Sequence, residues 1–279
     1  MGIDIFSAKF LLSEKRRGVR WSRTLTLGHQ ALYMEDNEYR ALTESIGIPC
    51  RNTKYADDLF RGLGATALDV LDASDYEGAN ILHDLNLPMD AHLHGAYDCV
   101  FDGGALEHVF NFPTALKNCL EMVKPTGHFI AIAPASAYCG HGFYQFSPEL
   151  FYSALSAENG FLVERILTVY HNQWYSVRSP SEVQARIGLV TREPTLLFVS
   201  ARRVEQKSVF SRWPQESNYL RSWNANNHIS APLKHPSAKE FFVGFSPLFR
   251  EVRKRWRNYK LRRQCSLSNR AWYTPISLD

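Results

Sequence analysis

The chain has few cysteines and no closely spaced pair of them: Cys50, Cys99, Cys119, Cys139 and Cys265 are odd in number, far apart and without a Cys-x-x-Cys motif. A disulfide framework and a thiolate metal site are therefore not expected; reduced thiols, partly buried, are. No window approaches the roughly 18 uninterrupted apolar residues of a membrane-spanning helix. Met1 to Leu12 lacks a basic start, a long apolar middle and a small-residue cleavage site, so no secretory signal is expected and the cytoplasm is the default location. Internal repeats are absent as well.

What is present is the composition of a folded α/β protein. Of 279 residues, 45% are apolar and 22% charged, enough for one large core with an appendage or for two small domains. The net charge of +4 is unevenly placed. Arg250 to Arg263 holds eight Lys or Arg and one acid, so the basic character belongs to the C-terminus.

Arg23 to Gly28 is β-branched and apolar with a glycine stop, which predicts a first strand. Ala31 to Ile46 has weak helical spacing. Thr66 to Asp72 predicts a second strand ending in an acid, and Ala79 to Leu82 a short third one ending at Asp84. Tyr97 to Asp102 predicts a fourth. Asn111 with Pro113 opens a helix whose stripe is Ala115, Leu116, Cys119, Leu120 and Val123, closed by Pro125 and Gly127. His128 to Ala133 then predicts a buried strand, Ser147-Pro148 another helix start, and Phe161 to Tyr170 and Thr195 to Arg203 the last two strands. Residues 204 to 245 show little periodicity. Ser246-Pro247 caps an amphipathic helix with Leu248, Phe249, Val252, Trp256 and Tyr259 on one face and basic residues around it.

Asp98 to Val109, reading Asp-Cys-Val-Phe-Asp-Gly-Gly-Ala-Leu-Glu-His-Val, followed by Lys124-Pro125-Thr126-Gly127, resembles the second half of a class I S-adenosylmethionine-dependent methyltransferase. The resemblance runs from about Arg23 to Glu205. It implies a doubly wound, Rossmann-like, seven-stranded and mostly parallel sheet with the last strand antiparallel, between helical extensions. The domain boundaries that follow are an N-terminal arm at 1–22, a methyltransferase domain at 23–205 and a C-terminal extension at 206–279.

S-adenosyl-L-methionine is the cofactor the resemblance implies, held at the ends of the first four strands by Gly28, Gln30, Asp72, Asp84, Leu85, Asp102 and Gly103. Asp72 is expected to accept the ribose hydroxyls, and Asp84 with the Leu85 amide to face adenine; both acids also suit plain turns. The first glycine turn departs from the family pattern. Thr26 stands in place of the usual acid, and His29 and Gln30 bring bulk where glycines normally let the backbone approach a ligand. Either Gln30 is an amide contact or cofactor binding has been lost.

Catalytic candidates are His141, His108 and Asp102. His141 lies between two glycines in an aromatic loop, Tyr138 to Phe146, and an imidazole can take a hydroxyl proton near neutral pH. Glu107 and His108 equally suit a supporting role at a helix start. Asp102, Glu107, His108 and His141 match no recognised metal-ligand spacing, so a metal-free site is expected.

The reading is therefore O-methylation of a small-molecule or glycan hydroxyl. Its rivals are a non-catalytic binding or scaffold protein on the same fold, and an RNA methyltransferase using the basic helix. That helix suits docking on the domain or in a homodimer, an anionic membrane surface at the inner face, or a polyanion.

Overall fold

The computed structural model describes residues 2–47, 54–226 and 247–278. Cys50 and Ser246, named above, lie outside them. The elements that build the sheet are β2 (Arg23–Leu27), β4 (Ala67–Asp72), β5 (Ile81–Leu82), β6 (Tyr97–Asp102), β7 (Val123–Ser136), β8 (Phe161–Tyr170), β9 (Gln173–Val177), β10 (Thr195–Arg203) and β11 (Tyr273–Ile276). A separate two-stranded ribbon joins β1 (Gly2–Ile3) to β3 (Ala31–Leu32).

The sheet runs in the order β11-β9-β8-β10-β7-β6-β2-β4-β5. β5, β4, β2, β6 and β7 are mutually parallel, and β10 is antiparallel to both of its neighbours. The seven strands from β5 to β8 are thus the doubly wound, mostly parallel sheet with an antiparallel strand that was expected. The sheet itself is larger, with nine strands. β9 and β11 were not foreseen because they are short, five and four residues, too few for alternation to stand out in the sequence. His171 and Asn172, both at positive φ, make the tight turn that folds β9 back on β8. The predicted helix at Ala31 begins only at Asp36: β3 comes first, and the helix α2 (Asp36–Ile46) starts on a capping box of Glu35 and Glu38.

Alternation along the strands divides the interior into two cores. In β7, Phe129, Ala131 and Ala133 face one side while Ile130 and Ile132 face the other. The first side is covered by α4 (Phe112–Met122) and α5 (Pro148–Ala154), through Ala115, Leu116, Cys119, Leu120, Phe151 and Ala154. The other is covered by α1 (Ile5–Arg16) and α3 (Asp57–Leu63), through Phe10, Leu11, Leu59 and Phe60.

α1 is tied to the sheet by charge as well as by packing. Glu14 is fully buried, pairs with Arg165 of β8 and accepts from Ser200 Oγ at 2.6 Å. A buried carboxylate persists only when paired and hydrogen-bonded in this way. By contrast the C-terminal helix α8 (Pro247–Gln264), the last helix described, leaves Val252, Trp256 and Tyr259 each more than half exposed. These three stripe residues are not buried against the described residues of the domain.

The strand order decides where a ligand can sit. From β2 the chain winds outward through β4 to β5, then crosses back to β6 and β7, so the direction of winding reverses between β2 and β6. In an open α/β sheet the crevice lies at that point, beyond the carboxyl ends of the strands. The register sets Leu27 level with Leu71 on one side and with Asp102 on the other. Gly28 and Gly103 are therefore the first residues past their strands, level with Asp72, the last residue of β4.

Candidate functional site

A cavity of about 350 Å³ opens at this reversal, lined among others by Gly28, Asp72, Asp84, Leu85 and His108. Four of the seven residues expected to hold a cofactor thus share one wall system. Leu27, Leu71 and Val109 supply its apolar part and His83 and Asn86 its polar rim.

Asp72 spends one oxygen on its own turn: Oδ1 accepts from the Ala73 N–H at 2.6 Å, with the Ser74 N–H at 3.4 Å. Oδ2 makes no such bond. Asp84 is organised in the same way by Asn86, whose backbone and side-chain N–H groups donate at 2.9 and 2.8 Å and hold its carboxyl below the usual carboxylate range. The turn reading of each acid and the ligand reading are compatible, since each keeps an oxygen directed outward.

Gln30, Asp102 and Gly103 are placed differently from the sequence expectation. Gln30 is 1% exposed and turns inward: its Nε2 donates to the Leu27 and Gly28 carbonyls at 2.7 and 3.1 Å. Its Oε1 lies against Gly103 so closely that a Cβ there would stand 2.2 Å away. Gln30 is thus a brace of the turn and not a contact presented to the cavity. His29 is held aside, stacked on Tyr55 at 3.5 Å and bonded to Asp57 and the Glu77 carbonyl.

Asp102 is fully buried beneath the cavity floor. Its Oδ1 accepts from Ala105 N–H at 2.8 Å and Leu106 N–H at 3.3 Å, which closes the turn after β6, while Oδ2 has no partner. Burial, and then the charge of Glu107, push its carboxyl up to about 7. Burial likewise raises Glu107 to about 7.

Glu107, His108 and His141, whose spacing matches no ligand motif, converge. Glu107 and His108 ride on the short turn Leu106–His108, and His141 reaches them from the loop after β7. His141 Nε2 stands 3.6 Å from Glu107 Oε1, and the two imidazoles meet edge to face with centroids 4.9 Å apart. Burial, followed by the neighbouring His141, depresses the basicity of His108. Beside them Phe110 and Phe143, 71% and 66% exposed, pack edge to face at 5.7 Å. Only the spacing Leu-Glu-His and the isolated Gly-His-Gly hinted at this cluster; the 32 residues between the histidines carry a helix and a strand pattern but nothing that joins the two imidazoles.

The strand order agrees with what the sequence motifs implied. The fold is methyltransferase-like. No family profile matches the chain, and no curated protein does. Among solved structures, the chain is similar to a Burkholderia thailandensis 1,6-didemethyltoxoflavin-N1-methyltransferase crystallised with that compound and S-adenosylhomocysteine. The identity is 13%, with 72% of this chain and 79% of that one covered and a TM-score of 0.41. It is similar also to an S-adenosylmethionine-dependent methyltransferase from Mesorhizobium loti, at 17% identity, 70% and 98% coverage and a TM-score of 0.37. At these scores the likeness is partial and adds nothing to what the strand order establishes.

Proposed function

We propose that this protein is an S-adenosylmethionine-dependent methyltransferase whose acceptor is a hydroxyl on a small molecule or glycan. One observation carries the reading: the cavity at the winding reversal gathers Gly28, Asp72, Asp84 and Leu85 from the ends of three strands, β2, β4 and β5, or the turns beyond them. When bound, the cofactor supplies an electrophilic methyl on a sulfonium sulfur.

The chain's own residues would do the rest. Asp72 Oδ2 accepts from the ribose hydroxyls, and Leu71, Leu85 and Val109 offer apolar surface to the adenine. His108, on the cavity wall, and His141 mark where the acceptor meets the methyl. Phe110 and Phe143 present exposed ring faces there, which suits the apolar side of a sugar or another ring. The acceptor hydroxyl gives up its proton within the Glu107–His108–His141 cluster, its oxygen attacks the methyl carbon, and the carbon–sulfur bond breaks with its electron pair going to sulfur. Such a transfer depends chiefly on positioning and proton removal. The exposed basic helix α8 would serve an anionic partner, an inner membrane face or a polyanion.

Calorimetric titration with S-adenosylmethionine and with its demethylated product tests the core of this reading. Stoichiometric heat and a raised Tm are expected. Silence of both at millimolar ligand would sink the enzyme and leave a scaffold on the same fold, which the inward Gln30 would then explain.

A further inference from the structure

We infer that Glu107, His108 and His141 form a binding site for one divalent first-row transition-metal ion, positioned to take the acceptor hydroxyl. The inference deepens the methyltransferase reading and rests on it for the role of the ion, though not for the site itself. It replaces the metal-free expectation drawn from sequence spacing.

Three observations support it. Each of the three residues offers one ligand atom, and these atoms all lie within 4.8 Å of one another. One carboxylate with two imidazoles is a donor set suited to ions such as Mn²⁺, Fe²⁺, Co²⁺, Ni²⁺ or Zn²⁺, in contrast to the all-oxygen sets of Mg²⁺ and Ca²⁺. Second, the carboxylate is placed at a cost that only a partner offsets. Glu107 is 2% exposed and its Oε2 has no hydrogen-bond partner. Oε1 faces His141 Nε2 at 3.6 Å, but Oε2 is buried without a partner, which is unfavourable, and a cation would supply one.

Third, the backbone around Glu107 is built to hold it. The Phe143 N–H donates to the Glu107 carbonyl at 2.7 Å. Gly142, at φ 68°, packs so closely that a Cβ would stand 2.8 Å from that carbonyl oxygen and 3.0 Å from Glu107 Cγ. Any larger residue at 142 would push the loop, and His141 with it, off the carboxylate. His108 belongs at once to the cluster and to the cavity wall, so the ion's open positions would face the space where acceptor and cofactor meet.

Three protein ligands leave coordination positions for a water or a substrate oxygen. A hydroxyl bound there ionises far more readily than in water, because the cation stabilises the oxygen's negative charge. The proton passes to solvent and the oxygen then attacks the methyl carbon, with the bond balance given above. The imidazoles act in this scheme as ligands, not as the base.

The test uses the full chain, stripped with chelator and titrated with Co²⁺ while visible absorption and heat are recorded. One equivalent should bind, with d–d bands and no thiolate charge-transfer band. His141→Ala, at an exposed side chain that leaves folding intact, should weaken binding by more than about tenfold, the lower end of what even an outer-shell loss costs. Glu107→Gln should do the same, with its fold checked by circular dichroism. Absence of stoichiometric binding, or affinity unchanged in His141→Ala, overturns the site. Cofactor binding is titrated separately on the stripped protein. Cofactor binding without Co²⁺ binding removes the metal and keeps the methyltransferase, whereas Co²⁺ binding without cofactor binding keeps the site and removes its catalytic role.

Discussion

Asp72 commits only one of its two carboxylate oxygens to its own turn. Its Oδ1 is committed to the Ala73 N–H, so the free oxygen is what substitution would remove from a bound ribose. Asp72→Ala should weaken cofactor affinity by about tenfold or more, since a hydrogen bond to a charged group contributes roughly 1.5–3 kcal/mol. Titration calorimetry measures it, and an unchanged affinity would exclude Asp72 from the site. His141→Ala makes the complementary prediction. Cofactor affinity should stay within twofold while kcat falls by about 10² or more, whether the imidazole acts as base or as ligand. Turnover unchanged at saturating substrate would remove His141 from the chemistry.

The sequence marked Asp72, Asp84 and His141 because strand ends and glycine-flanked loops are where polar side chains have few structural duties. It misplaced Gln30 for a physical reason. Whether an amide faces a ligand or braces its own turn depends on the turn's backbone conformation, which here brings Leu27 O and Gly28 O within reach of Nε2.

At the scale of elements, α1 and α8 invert expectation. The N-terminal segment that reads as an arm supplies Phe10, Leu11 and Glu14 to the second core. Glu14→Ala would strand the Arg165 guanidinium among apolar neighbours, a change that typically costs about 3–5 kcal/mol. A urea denaturation midpoint should show it, and a loss under about 1 kcal/mol would mean that Arg165 finds water. α8, the convincing amphipathic helix, keeps its aromatic stripe in solvent. Trp256 is 57% exposed, so Trp256→Ala should leave folding stability within about 0.5 kcal/mol. If α8 serves an anionic partner, binding to anionic vesicles or to a polyanion should weaken steeply with added salt. A flat salt dependence would return the helix to a neutral role.

For the whole molecule, pH is the accessible lever. His128 on β7 is 5% exposed, with its Nε2 3.4 Å from Glu164, and burial depresses its pKa below the ordinary 6.5 despite that carboxylate. A histidine kept neutral by the fold contributes stability that is fully present above its unfolded pKa and is lost as the pH falls through it towards the folded value. Stability should therefore decline below about pH 6.5, and His128→Gln should flatten part of that decline in chemical denaturation measured across the range. An equal slope in both proteins would place the lost stability on other groups.

The order of the seven main strands and the stripe of α4 follow from the sequence, because binary patterning and turn residues act over short spans of chain. Phe161 to Tyr170 and Thr195 to Arg203 run as strands over the ranges read from pattern alone. What only the tertiary structure decided is which polar groups meet. Glu107 and His141 are 34 residues apart and share no helix face or strand register; they converge because β6 and β7 lie side by side and their following loops fold over one carboxylate. Local sequence encodes local geometry, but the partner of a buried charge is chosen by packing across the sheet, and that choice brought Glu107 beside two imidazoles that spacing could not join to it.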